Sequence, residues 1–200
     1  MRTLVILGHP NPDSYCAALA RSYADSARQA GAHVDLLDLS TLHFDPHLHG
    51  GYHAGQPLEP DLQRAQQLIR QADHLCLVTP TWWSSMPALL KGFIDRVFLP
   101  GFAFRYRPGR MLPEQLLRGR SARVIVTTDT PPLLLRTLLG DPTLRSLSQG
   151  VLAFCGYRVR STRLGPIRGS SDTQRAAWLD RTARLARQDH ARRAAQPALA

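Results

Sequence analysis

Two short segments carry the residues whose types and spacing could do chemistry. The first is Gly8-His-Pro-Asn-Pro-Asp-Ser14, a polar loop of turn formers that follows the apolar run Thr3–Leu7. A helical pattern opens at about Tyr15, with Asp13 or Ser14 as a natural N-cap. Strand, polar loop and helix N-terminus in that order bring free N–H groups and the positive end of the helix dipole together, which is the chemistry of an anion site. Read by itself, the segment is equally an ordinary capped turn. It is not a dinucleotide fingerprint, because the glycines of G-x-G-x-x-G are absent. The second segment is Pro80-Thr-Trp-Trp83, which follows the apolar run Leu75–Val78. Core packing is the plain reading of two tryptophans. Two adjacent side chains cannot both point inward, however, so at least one of Trp82 and Trp83 faces a ligand or a partner. An indole beside the N–H groups of a turn suits a flat, mostly apolar ligand with a polar rim.

The elements that must position these segments follow from periodicity. Thr3–Leu7 is a continuous apolar run, the mark of a strand covered on both faces. A helix is expected over Tyr15–Ala30, closed by Gly31 at C′. His33–Leu39 alternates as a second strand, Leu62–Ala72 reads as an amphipathic helix, and Asp73–Thr79 as the third strand. Apolar residues then recur at helical spacing from Leu89 to Phe98, behind Pro87. Ala122–Thr128 supplies a fourth strand, and Leu133–Leu139 and Pro142–Phe154 read as helices. Tyr157–Leu164 is a fifth strand, and a last helix capped by Ser171 or Asp172 reaches about Asp189. Strands alternating with helices imply an α/β domain over residues 1–190 with a parallel sheet, and residues 191–200 as a frayed tail. In such a sheet ligands bind outside the carboxyl ends of the strands, where both segments fall.

Composition bounds the rest. Two hundred residues fit one domain with a sizeable core. No apolar stretch is long enough to span a bilayer, and no signal-peptide pattern precedes the first strand, so a soluble, cytoplasmic protein without membrane insertion is expected. Cys16, Cys76 and Cys155 lie far apart, consistent with a reduced compartment. The net charge is +10, yet Lys91 is the only lysine. The arginines are scattered without an interleaved aromatic stripe, so no nucleic-acid face is expected. His43, His47, His49 and His53 crowd the loop-like stretch from Ser40 to Pro60. No carboxylate or cysteine completes a recognisable set with them, so no metal site is assigned. So long an excursion is more often a binding or interface loop.

The run from Pro80 to Phe98, PTWWSSMPALLKGFIDRVF, resembles the NAD(P)H:quinone oxidoreductase family, and so does LAFCGYRV from Leu152 to Val159. That family consists of flavodoxin-like flavoproteins and includes soluble ancillary subunits of potassium-efflux systems. The resemblance implies a doubly wound five-stranded parallel sheet of order 2-1-3-4-5, with a flavin at the switch between strands 1 and 3. It implies that His9, Ser14 and Tyr15 hold the flavin phosphate. Cys16 stands where relatives often have Asn. By the same likeness Pro80, Thr81, Trp82 and Trp83 meet the edge of the isoalloxazine, with Thr127, Thr128, Asp129 and Thr130 on its other side. Phe104 and Tyr106, which taken alone are a small packing cluster, would wall a pocket where quinone stacks.

The implied activity is two-electron transfer from NAD(P)H to a quinone or similar electrophile through non-covalent FMN or FAD, FMN being preferred for want of a distinct adenine site. A homodimer is implied, with the Ser40–Pro60 stretch in its contact. The chain departs from well-known relatives after the fourth strand. Thr127-Thr-Asp-Thr-Pro-Pro132 replaces a Thr-Thr-Gly-Gly followed by a pocket Tyr and His. No catalytic residue is therefore assigned, and backbone N–H groups near Thr128–Thr130 become the candidates for stabilising charge on the reduced ring. A different class is a regulatory flavoprotein that contacts a membrane transporter and retains residual reductase activity. A phosphorylatable receiver domain shares the topology, but it would need an acidic cluster after strand 1 and an Asp after strand 3, where this chain has His9-Pro-Asn and Pro80-Thr-Trp-Trp83.

Overall fold

The structure is a computed structural model and describes residues 1–53 and 55–194. Among the described residues, seven strands and six α-helices follow one another: β1 (Arg2–Leu7), α1 (Tyr15–Gln29), β2 (His33–Asp38), α2 (Pro60–Gln71), β3 (His74–Pro80), α3 (Ala88–Val97), β4 (Phe104–Arg105), β5 (Glu114–Gln115), β6 (Ser121–Thr127), α4 (Pro132–Thr137), α5 (Pro142–Arg145), β7 (Arg158–Leu164) and α6 (Asp172–Ala194). Five of the strands form a parallel sheet in the order β2-β1-β3-β6-β7, the expected 2-1-3-4-5 with β6 and β7 as fourth and fifth.

Burial explains the strands. All seven residues of β3 are buried, as a central parallel strand requires. Alternate residues of β1 feed two separate cores. Leu4 and Ile6 pack with α2, α3 and the α5 region, whereas Val5 and Leu7 pack with α1 and α6. Helix α1 buries Cys16, Leu19, Ala20, Tyr23, Ala24 and Ala27, one face of a 3.6-residue period. Its far end closes as the sequence indicates. Gly31 sits at φ +90°, its N–H donates to Arg28 O, and Ala32 N–H donates back to Ala27 O, a Schellman pair. Three α1 hydroxyls then reach the α6 backbone: Tyr15 to Arg175 O, Ser22 to Leu179 O and Ser26 to Ala183 O, at 2.7–3.0 Å.

Several elements differ from the sequence reading. A two-residue antiparallel pair, β4 with β5, ties the 104–115 region together. The expected helix over Pro142–Phe154 is α-helical only to Arg145. From Ser146 to Ala153 it widens to π geometry, with Phe154 N–H reaching Gln149 O. Helix α6 runs to Ala194 rather than ending near Asp189, so residues 191–194 are helical, and the remainder of the expected tail, 195–200, lies outside the described residues.

The long excursion between β2 and α2 is pinned by one buried cation. Arg96, fully buried on α3, donates to Glu59 Oε2 (2.8 Å), Pro57 O (2.8 Å) and Asp45 O (2.5 Å). Pro46 lies against α3 so closely that a Cβ on Gly92 would come 2.4 Å from its Cβ and 2.7 Å from its carbonyl. Glycine inside a helix normally costs about 1 kcal/mol relative to alanine, and here the close approach requires it.

Candidate active site

At the carboxyl ends of β1, β3 and β6, astride the point where strand order reverses, lies an open cleft of about 200 Å³. It is lined by His9, Ser14, Tyr15, Cys16, Pro80, Thr81, Trp82, Thr127, Thr128, Asp129 and Ile167. The two segments singled out in the sequence thus meet at one place, as the switch-point rule requires. Trp83 and Thr130 do not line the cleft, and neither do Phe104 and Tyr106. Phe104 is buried edge-on against Phe154 (5.1 Å between centroids) and Tyr106 (5.5 Å), with Tyr106 mostly exposed.

On the first wall, Ser14 caps α1 by accepting the Ala17 N–H at 3.2 Å. That bond uses the oxygen as acceptor and leaves the hydroxyl proton to donate outward. Tyr15 and Cys16 occupy the first two helical positions, whose N–H groups have no intrahelical acceptor. His9 Nδ1 accepts the Asn11 N–H at 2.9 Å. Burial holds the imidazole below its usual pKa, so the neutral ring carries its proton on Nε2, a second donor. The Tyr15 hydroxyl is already committed to Arg175 O at 2.7 Å, and burial raises its pKa to about 12. What Tyr15 offers the cleft is therefore its ring and its N–H. The Cys16 thiol is buried 3.3 Å from Thr127 Oγ1, and burial raises its pKa to about 11, so it is a neutral floor group and not a nucleophile.

On the second wall, Trp82 and Ser85 exchange both backbone hydrogen bonds, N–H to O at 2.8 Å and 2.9 Å. The residues between them, Trp83 and Ser84, sit at φ +52° and +57°. This is a type I′ turn built without glycine, and each left-handed residue costs about 1–3 kcal/mol. The turn holds the Trp82 indole edge-on to His9, 5.4 Å between ring centroids, and throws Trp83 fully into solvent. The N–H groups of the two central residues take no part in the turn's own pair of bonds. Thr81 N–H is tied to Thr127 O (2.7 Å), but its buried Oγ1 has no partner among the described residues. A buried hydroxyl without a partner costs about 1–3 kcal/mol, which a ligand hydrogen bond would recover.

The third wall corrects one expectation. Among the amides near Thr128–Thr130, Thr128 N–H is spent on Leu164 O (3.0 Å) and Thr130 N–H on Thr128 Oγ1 (3.1 Å). The strand ladder and a side-chain turn have claimed them, which leaves the Asp129 N–H as the remaining candidate. The Asp129 carboxylate accepts the Arg168 N–H at 2.7 Å and so fixes the loop after β7. That loop contributes Ile167, which the sequence reading missed. Ile167 N–H donates to Thr128 O (3.0 Å), and Gly165 lies so near that a Cβ there would come 2.2 Å from the same oxygen.

A doubly wound parallel sheet with an anion-ready helix N-terminus and an indole-bearing turn at its switch point defines a class of nucleotide-cofactor α/β proteins. Residues 1–187 match the Flavodoxin_2 family, described as having a flavodoxin-like fold, and the chain belongs to that family. Over 90% of its length it is 30% identical to an NAD(P)H oxidoreductase of Haemophilus influenzae (91% of that protein). It is 29% identical to human ribosyldihydronicotinamide dehydrogenase [quinone], over 90% of each chain. The solved NAD(P)H:quinone oxidoreductase from Methanothermobacter marburgensis superposes with a TM-score of 0.78 at 27% identity, covering 94% of this chain and 96% of that one. The resemblance carried by Pro80–Phe98 thus extends along nearly the whole chain. Among the described residues no helix is long and apolar enough to cross a membrane.

Proposed function

We propose that the cleft binds a flavin non-covalently, FMN in preference to FAD, and that the protein transfers two electrons from NAD(P)H to a quinone-like acceptor. The observation that carries this reading is the meeting of the α1 N-terminus, the His9 and Ser14 donors and the Trp82 turn around one cleft at the switch point. When bound, a flavin supplies reversible hydride exchange, and the protein's part is to bind, orient and exclude water.

The residues present fit that group. Ser14 O–H, His9 Nε2–H and the Tyr15 and Cys16 N–H groups take the phosphate. Thr81 Oγ1 and the Trp82–Ser85 turn meet the polar rim while the indole packs on apolar ring. Thr127, Thr128 and Asp129 line the opposite side of the cleft, and the Asp129 N–H is the amide there that could stabilise negative charge on a reduced ring. Thr130 acts only through Thr128, whose hydroxyl it holds. Among the described residues that line the cleft, no side chain is assigned the role of the missing Tyr/His relay.

Donor and acceptor then use one stacking face in turn, which gives ping-pong kinetics. The acceptor face is completed in a homodimer. Trp83, Tyr106, Met111 and Leu112 are exposed large apolar residues on the connections between β3 and β6, and a second copy would cover them. Tyr106 reaches the acceptor site from the partner copy, and Phe104, buried against Phe154 and Tyr106, supports it from within. The test is initial-rate kinetics of NAD(P)H oxidation by a water-soluble quinone in flavin-saturated protein. Parallel double-reciprocal lines are expected. Absence of quinone-dependent oxidation with both NADH and NADPH refutes the reading.

A further inference from the structure

Away from the cleft, the excursion between β2 and α2 gathers a second set of ligating groups. Asp45, His47 and His49 each present one donor atom, and all three lie within 4.8 Å of one another. His47 Nδ1 is 3.1 Å from Asp45 Oδ1, and His49 Nε2 is 2.8 Å from Oδ2. The histidines of this stretch lacked a carboxylate in the sequence reading, and the structure supplies one two residues before His47.

What distinguishes the trio from chance neighbours on a loop is how its backbone is held. Asp45 N–H donates to Glu59 Oε1 at 3.1 Å, and its carbonyl accepts from Arg96, which is fully buried and paired with the same Glu59. Gln56 braces the other two ligands, accepting the His49 N–H at 2.9 Å and donating to His47 O at 3.3 Å. Pro46, between the ligands, is seated against Gly92 of α3. None of these anchors uses an imidazole nitrogen. The imidazole donor atoms meet only the Asp45 carboxylate, whose Oδ1 also accepts the His47 N–H at 2.9 Å, and both rings are open to solvent.

We propose that Asp45, His47 and His49 bind one divalent transition-metal ion, zinc(II) or a first-row neighbour such as nickel(II) or copper(II). In a tetrahedral shell with bonds of about 2.1 Å, neighbouring donor atoms stand about 3.4 Å apart, within the spread seen here. Two imidazoles select these ions over magnesium and calcium, which take oxygen shells. Glu59 and Arg96 act as positioning residues, fixing the carboxylate ligand through its backbone. Three protein ligands leave a coordination position for water, and the bound ion clips the excursion against α3.

The test is zinc titration by calorimetry of untagged, chelator-stripped protein, with thermal unfolding in parallel. One equivalent is expected to bind in the micromolar range or tighter and to raise the unfolding temperature, while magnesium does neither. His47→Ala and His49→Ala, both at exposed positions, are each expected to weaken zinc binding at least tenfold, and His43→Ala in the same stretch to leave it unchanged. No saturable zinc binding, or binding that survives the His47→Ala/His49→Ala double change, overturns the proposal.

Discussion

Acidification is expected to destabilise the fold through a histidine far from the cleft, and the size of the effect follows from the structure. His74, at the start of β3, is 2% exposed. Its Nδ1 lies 2.8 Å from Ser121 Oγ and its Nε2 2.8 Å from Tyr23 Oη. Tyr23 donates its own proton to Asp189 (2.9 Å), so His74 Nε2 must be the donor to Tyr23, and Nδ1 accepts from Ser121. Asp189 is already neutralised by the buried Arg123 guanidinium. Burial lowers the His74 pKa from 6.5 to about 4, with the Asp189 charge opposing and the Arg123 charge assisting.

The unfolded chain therefore binds a proton that the folded chain refuses between those two values. Stability from this group is full above the unfolded pKa and is lost as pH falls through the window. From about pH 7 to about pH 4.5 the loss is roughly 2–3 kcal/mol by linkage. Asp189, whose pKa is held below 3.8 by Arg123 despite burial, loses its contribution only at still lower pH, so the two effects separate. Urea unfolding across that range measures the slope, and His74→Gln, which keeps a donor toward Tyr23 but does not titrate, is expected to flatten it. The depressed His9 titrates in the same sense and leaves a smaller residual slope. An unchanged slope in His74→Gln would show that the histidine is not held neutral by its burial.

Two further changes probe the cleft and its mouth. Gly165→Ala drives a methyl group into Thr128 O, and overpacking of this kind costs about 1–3 kcal/mol. Because Thr128 O also holds Ile167, both lower stability by denaturation and weaker flavin binding are expected, and a fully stable variant with normal binding contradicts the assignment of this loop to the cleft. Tyr106→Ala removes an exposed ring outside the cleft of its own chain. It is expected to leave flavin binding and stability intact while raising KM for quinone by the equivalent of about 0.5–1.5 kcal/mol of stacking. An unchanged KM removes Tyr106 from the acceptor site.

The sheet was legible because central parallel strands are continuous apolar runs, and β1, β3 and β6 fall within a residue of their expected bounds. That the loop after β1 and the Thr81–Trp82 turn lie at the carboxyl ends of the strands was legible through motif and position. Other parts left no local mark. Trp83 and Ser84 are not residues that announce a left-handed turn, so which tryptophan faced the cleft could not be read. Ile167 arrives from a loop eighty-odd residues beyond the Trp turn, and its one available signal was the Gly165-Pro166 turn dipeptide after the fifth strand. The π segment over Ser146–Ala153 keeps the apolar spacing of an α-helix. The placing of Asp45 beside His47 and His49 left no mark in the sequence, since a buried arginine from α3 helps to hold its backbone.

The central claim is that a flavin phosphate sits at the α1 N-terminus with its ring beside Trp82. Fluorescence titration of the flavin-stripped protein with FMN and with FAD tests it most directly, comparing the wild type with His9→Ala/Ser14→Ala. Hydrogen bonds to a charged group are each worth about 1.5–3 kcal/mol, so losing both is expected to weaken binding at least about a hundredfold. Ser14→Ala also removes a helix cap worth about 1 kcal/mol, so each variant's unfolding midpoint is measured alongside. The account predicts stoichiometric quenching at micromolar flavin or below in the wild type, tighter for FMN, and a marked loss in a double variant that remains folded. A wild-type protein that binds neither flavin, or a double variant with undiminished affinity, contradicts it.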